Sequence, residues 1–180
     1  LDGIFDFSWS ADGASVYYAS AVQEEDRTVT HVAARYFWQT GQTETLYTYR
    51  EECVFIQVCE NQPDGCFLFV MKGYDDILAL WRTSDGTVTP MNNGHGSCRF
   101  IGRRAGLCYF ITNRISSMGA VVAVAAEDLH TENCLHTARA VAVNDEWLLT
   151  NACILPDGIL ALYESDAVSR VRLLDFDGKT

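Results

Sequence analysis

Basic residues are scarce in this sequence. Thirteen Lys and Arg stand against 24 Asp and Glu, a formal net charge of −11. A surface of that sign repels phosphate backbones and anionic lipid, so neither nucleic acid nor a membrane surface is expected as a partner. Long apolar runs are missing too. The longest, from Gly119 to Ala126, falls well short of the about 18 residues that a membrane helix needs. The opening stretch LDGIFDF has neither the basic start nor the apolar core of a secretory leader, so the chain is expected to begin inside structure. Helical periodicity is nearly absent. Its best candidate, Gly119 to Leu129, is a Val- and Ala-rich run that fits a buried strand at least as well.

Paired cysteines are lacking as well. The seven cysteines (Cys53, Cys59, Cys66, Cys98, Cys108, Cys134 and Cys153) are odd in number, scattered through apolar runs, and contain no Cys-x-x-Cys. That pattern argues against a disulfide scaffold and reads as reduced, buried thiols in a cytoplasmic protein. The pattern G-x-S-x-G, which seats a nucleophilic serine on a strand-to-helix turn, occurs nowhere.

What is present is a repeat. Gly13, Gly65, Gly106 and Gly158 each separate two apolar runs: FDFSWS from SVYYAS, CVFIQVCE from CFLFVMK, CRFIG from LCYFIT, and WLLTNACI from ILALYES. Three of these glycines follow Asp, and Asp-Gly predicts a type I′ hairpin turn with positive φ at both central residues. A third strand-like run follows in each unit (THVAARYFW, DDILALWRT, AVVAVAA, SRVRLLDF), and a more polar fourth run in three of them (TETLYTY, TVTPM, LHTARAV). The unit is four antiparallel strands, recurring every 41 to 52 residues by the glycine positions. Inner strands such as CFLFVM are apolar on both faces, whereas the fourth run carries Thr, Glu and Pro90, as a free edge requires.

Such units are β-propeller blades. The expected fold is all-β, a partial propeller with blades at approximately 3–50, 52–92, 96–141 and 143–180, the last lacking its outer strand. A two-sheet sandwich is the competing architecture, but it does not predict the recurring order of apolar inner and polar outer strands. An open arc of blades would leave the apolar faces of its end blades uncovered, so the chain is expected to be part of a longer polypeptide.

The stretches FDFSWSADGASVYYAS and GHGSCRFIGRRAGLCYFITNRISSMGAVVAVAAED, the latter with Thr112-Asn113 at a strand end, resemble the propeller segment of the prolyl oligopeptidase family of serine peptidases. Their order and spacing look like the oligopeptidase B branch, which cleaves after basic residues. The resemblance covers nearly the whole chain. It implies a seven-bladed propeller that caps an α/β-hydrolase peptidase domain and admits only short peptides. The catalytic domain itself is absent from this chain. The implied partners are that domain, the remaining blades, and short peptides of basic character. The alternative is a stand-alone propeller-like scaffold for protein interactions.

The remaining constellations have structural explanations. Gly94-His95-Gly96-Ser97 places Ser beside His in sequence, yet Asn92-Asn93-Gly94 already spells a turn there. His95 with Cys98, and Cys134 with His136, offer two pairs of zinc ligands without the usual spacing. Cys53 and Cys59 stand six apart, which in one strand puts both on the same face. Glu24-Glu25-Asp26 falls in the longest loop of the first unit and can steer basic peptides or simply be solvated. Arg114 and Arg103-Arg104 suit either carboxylate recognition or pairing between blades. Trp9, Trp38, Trp81 and Trp147, each in or beside a predicted strand of a different unit, are expected to fill space between blades. No residue is assigned a catalytic, cofactor-binding or metal-binding role, and no cofactor is expected.

Overall fold

The computed structural model describes residues 3–179 except 52, 54, 62, 63, 74 and 75. Of the runs above, Leu1, Asp2, Glu52, Val54, Asp75 and Thr180 lie outside the described residues. The chain forms four antiparallel sheets. β1 (Gly3–Trp9), β2 (Val16–Gln23), β3 (Val29–Phe37) and β4 (Gln42–Tyr49) make the first. β5 (Phe55–Asn61), β6 (Gly65–Met71), β7 (Ile77–Thr83) and β8 (Val88–Pro90) make the second. β9 (Cys98–Arg104), β10 (Leu107–Thr112), β11 (Ala120–Ala125) and β12 (Arg139–Val143) make the third, and β13 (Leu148–Leu155), β14 (Gly158–Ser165) and β15 (Val168–Leu174) the fourth. In each sheet the strands lie side by side in chain order, and none crosses to another sheet. That is the up-and-down order of propeller blades, not the Greek key of a sandwich.

The chain divides into two compact units, Leu1–His95 with the first two sheets and Gly96–Thr180 with the other two. Within the first unit, Tyr17, Ala19, Ala33 and Leu46 of one sheet pack on Ile56, Val58, Leu68 and Val70 of the other. Within the second, Tyr109, Ile111, Val121 and Ala123 pack on Leu149, Ala152, Ile159 and Ala161. The middle strand β6 is buried on both faces, since Leu68 and Phe67 point opposite ways and both are fully inaccessible. Pro90 ends β8, the outer strand of its sheet, where no neighbouring strand needs its missing N–H. Beyond it Asn92 completes the ladder with its side chain: Oδ1 accepts from Ala79 N–H at 2.9 Å, and Nδ2 donates to Ile77 O at 2.8 Å.

The first hairpin answers for the SWSADGAS stretch. Ser10 Oγ donates to Asp12 Oδ1 at 2.6 Å and accepts from Ser15 N–H at 2.9 Å. Arg35 Nε–H reaches Ser15 Oγ at 2.7 Å from β3. Small hydroxyls thus close the loop where backbone donors lose the ladder.

Several expectations are corrected. None of the three Asp-Gly pairs has positive φ at both residues; at Asp12-Gly13 only Gly13 does. Among the described residues, the two-residue turns of that kind are Ala105-Gly106 and Asp166-Ala167. Gly65 and Gly158 lie inside strands, and a Cβ on either would collide with a third-strand carbonyl, that of Arg82 or of Leu174. Close approach, not turn conformation, requires glycine there.

The run at 119–129 is strand only over β11; a short 3-10 turn at Ala126–His130 and another at Cys134–His136 follow. They leave the ladder because Ala126 N–H takes Gly106 O as its last partner, and Leu129, Cys134 and Leu135 anchor the excursion by burial. The polar fourth run therefore pairs only from Arg139. The loop holding Glu24-Glu25-Asp26, between Gln23 and Val29, is shorter than the one between Trp9 and Val16.

Trp9 ends β1 and Trp38 follows β3, so the two belong to one unit rather than two, and both are mostly exposed; of the four, only Trp81 is fully buried. Trp9 does not fill a core because, two residues on from Phe7 in β1, it points to the face of that sheet turned away from the second one, and Trp38 lies in the turn after β3. Trp38 Nε1–H instead donates to Gly13 O at 2.9 Å.

Replacing Gly158 by Ala forces Leu174 away from β14. Such overpacking is expected to cost roughly 1–3 kcal/mol, read as a lower urea midpoint at unchanged slope. A midpoint equal to that of the parent protein would overturn the close-approach explanation.

Candidate functional site

The residues singled out in the sequence turn out to be held in structural roles. Ser97 N–H donates to Asn113 Oδ1 at 2.8 Å, and Asn113 N–H returns a bond to Ser97 Oγ at 3.2 Å. The Thr112-Asn113 dipeptide thus seals the end of β10 against the start of β9. His95 Nδ1 stands 3.5 Å from Asp76 Oδ1, both exposed.

Cys53 precedes β5, so the even spacing to Cys59 does not place the two on one strand face. Burial pushes the Cys59 thiol up to about 11, Cys66 to about 12 and Cys134 to about 11, and raises Cys98 as well. Thiols so disfavoured as thiolates are poor metal ligands and poor nucleophiles at neutral pH. Among the described residues, no group of three or more His, Cys, Asp or Glu gathers as a metal site would require.

The acidic turn closes on itself. Asp26 Oδ1 accepts from Thr28 Oγ1 at 2.6 Å and from Thr28 N–H at 2.9 Å, and these bonds hold its carboxyl below the usual range. Most cations are likewise engaged within the chain. Arg82 Nη2 lies 3.0 Å from Glu44 Oε1, and its Nε donates to Leu46 O at 2.9 Å. Arg104 stacks 3.9 Å above the Phe176 ring, and Arg170 4.0 Å above that of Trp147. Arg99 Nη2 donates to Asn151 Oδ1 and to Thr150 O. Arg103 falls within β9, and Arg114 follows Asn113 in an exposed segment.

The conspicuous surfaces are two sheet faces. On the first sheet, the side away from the second carries Ile4, Phe7, Tyr18, Val32 and Tyr36 around a shallow groove of about 640 Å³. Phe7 is 66% and Trp9 62% exposed. On the fourth sheet, the side away from the third carries Cys153, Leu160, Leu162 and Val171, with Val171 63% and Leu173 56% exposed. Contiguous apolar surfaces of this kind mark interaction sites. Among the described residues nothing pairs with the free edge of β15. Just beyond it, Asp175 N–H donates to Lys179 O at 2.7 Å and Gly178 N–H to Asp175 O at 3.0 Å. The same pair of bonds closes the Thr83–Thr87 turn between β7 and its outer strand β8. Sequence reasoning foresaw uncovered end faces but not which side chains form them.

No family model matches the sequence, and no curated protein matches it. Solved structures do. A prolyl endopeptidase superposes with a TM-score of 0.82 at 15% identity, over 97% of this chain and 27% of that one. Prolyl oligopeptidase B from Galerina marginata, bound to a 25mer macrocyclization substrate, gives 0.75 at 13% identity over 96% of this chain and 26% of that one. Its apo form gives the same values. The chain therefore spans about a quarter of the length of these structures. At such identities the likeness is one of fold, and the fold is the β-propeller of prolyl oligopeptidases.

His31 in β3 supplies a pH test. It is buried, its Nδ1 has no hydrogen-bond partner, and burial lowers its pKa from the ordinary value near 6.5. Below that value the unfolded chain binds a proton that the folded chain resists, so stability falls as pH drops. Denaturation midpoints are expected to decline from about pH 7 to about pH 5.5, and His31→Phe to flatten that decline. An equal decline in the variant would remove His31 as the cause.

Proposed function

We propose that this chain is the non-catalytic propeller portion of a prolyl oligopeptidase-family serine peptidase, its blades at approximately 3–50, 52–92, 96–141 and 143–180. Its role is to gate the access of short peptides to an α/β-hydrolase domain elsewhere in the same protein. The observation that carries the reading is the propeller likeness to peptidases several times longer than this chain, together with the two apolar end faces.

The end faces are apolar because further blades of the same protein cover them. The Asp175–Lys179 turn supports this at one end: its bonding returns the chain antiparallel to β15, where a fourth strand completes the sheet. Gating needs a passage that does not stretch, and sheets packed at crystal-like density on both faces supply that stiffness. Within the family we place the chain in the oligopeptidase B-like branch. The resemblance of the SWSADGASVYY and Thr112-Asn113 stretches supports that placement, and a net charge of −11 favours basic peptides over acidic ones. A cytoplasmic location accords with seven unpaired thiols.

The test uses the full-length protein. Short peptides with Lys or Arg before the scissile bond are expected to be hydrolysed, a folded protein of the same composition is not, and a serine-directed phosphonate is expected to abolish activity. Hydrolysis after Pro alone would move the protein to another branch of the family. A full-length protein that neither cleaves peptides nor reacts with the phosphonate is a scaffold instead, and the proposal falls.

A further inference from the structure

In a chain with 24 acidic side chains, a half-buried arginine without a carboxylate is unexpected. Arg99 on β9 is such a residue. Burial pulls its pKa below the usual arginine range, so its charge is partly stripped of water. Its contacts are Thr150 O at 3.2 Å and Asn151 Oδ1 at 2.9 Å, both neutral acceptors and both reached by Nη2. Among the described residues no Asp or Glu pairs with it. Arg82, Arg139 and Lys72 all have such a partner. The two N–H groups of Nη2 are used, and those of Nε and Nη1 remain.

The backbone supplies one of these acceptors through a break in its ladder. Between Leu149 and Asn151 the β13–β14 register slips, so Thr150 drops out of the ladder and its carbonyl is free to accept from Arg99. β9 carries an irregularity of its own, between the residues paired with Tyr109 and Phe110. β9 and β13 are the strands farthest from the outer edge of their sheets, which in a propeller border the central channel. Asn151, whose Oδ1 is taken by Arg99, keeps its amide donors beside the guanidinium.

We propose that Arg99, oriented by Thr150 and Asn151, is a recognition site for the C-terminal carboxylate of a peptide in the central passage. The inference rests on the peptide-gating reading above and names the group that the passage recognises. A carboxylate supplies what Thr150 and Asn151 do not, an anion to offset the desolvated cation, and charge-assisted bonds from Nη1 and from the Asn151 amide hold it. A guanidinium that only clasped β9 to β13 would be indifferent to ligand charge.

The experiment titrates the full-length protein, inactivated by a serine-directed phosphonate, with a short N-acetylated Ala/Lys peptide bearing a free C-terminal carboxylate and with its C-terminal amide. The acid is expected to bind at least about tenfold tighter than the amide, as a charge-assisted contact implies. Arg99→Gln is expected to abolish that preference, Arg99→Lys to restore part of it, and Asn151→Ala to reduce it if Arg99→Gln does not fold. Equal affinity for acid and amide, or a preference that survives in all three variants, overturns the inference while leaving peptide gating intact. If neither peptide binds, the inference and the gating reading both fall.

Discussion

A β-sheet that is apolar on both faces cannot stand in water by one packed side alone. In this chain the constraint is most severe at β6, where Leu68 and Phe67 point opposite ways and neither is accessible. Burial of apolar area, at about 25 cal/mol per Å², favours any neighbour that covers the second face. Sheets repeated along the chain supply such neighbours, first on second and third on fourth. The same requirement passes to the first and fourth sheets, whose far faces carry Phe7, Trp9, Val171 and Leu173 in the open.

Burial also shapes the chemistry that the chain can offer. It lifts the thiols of Cys59, Cys66 and Cys134 away from reactivity, and it lowers the pKa of His31. The acids and cations are spent locally, as in the Asp26 turn and the Arg82–Glu44 pair. A framework with its polar groups so occupied is suited to holding shape. Arg99 departs from this pattern, since its guanidinium is half-buried against neutral acceptors.

Much of this architecture was legible in the sequence because two signals repeat: apolar runs separated at 13, 65, 106 and 158, and polar fourth runs. Pro90 marked an outer edge correctly, for a reason confined to its own missing donor. The glycines were legible as positions but not as causes. Gly65 and Gly158 answer to a carbonyl on the third strand, which no local pattern encodes. Trp9 and Trp38 misled because a large ring marks a surface to be covered without saying whether the cover lies within the same chain. Asn92 read as a turn residue, and only the sheet shows its amide standing in for strand backbone. Arg99 had no signal, because its acceptors, Thr150 O and Asn151 Oδ1, stand on a strand about fifty residues away in sequence.

Cys153 offers the most direct measurement. Its thiol lies on the uncovered face of the fourth sheet and is exposed in this chain. If a further sheet of the full-length protein packs on that face, mass-spectrometric mapping after alkylation will find Cys153 unmodified in the native protein and modified only after denaturation. Alkylation of native Cys153 at the denatured rate would mean that the face stays open to water, and the account built on mutual coverage of sheets would be wrong.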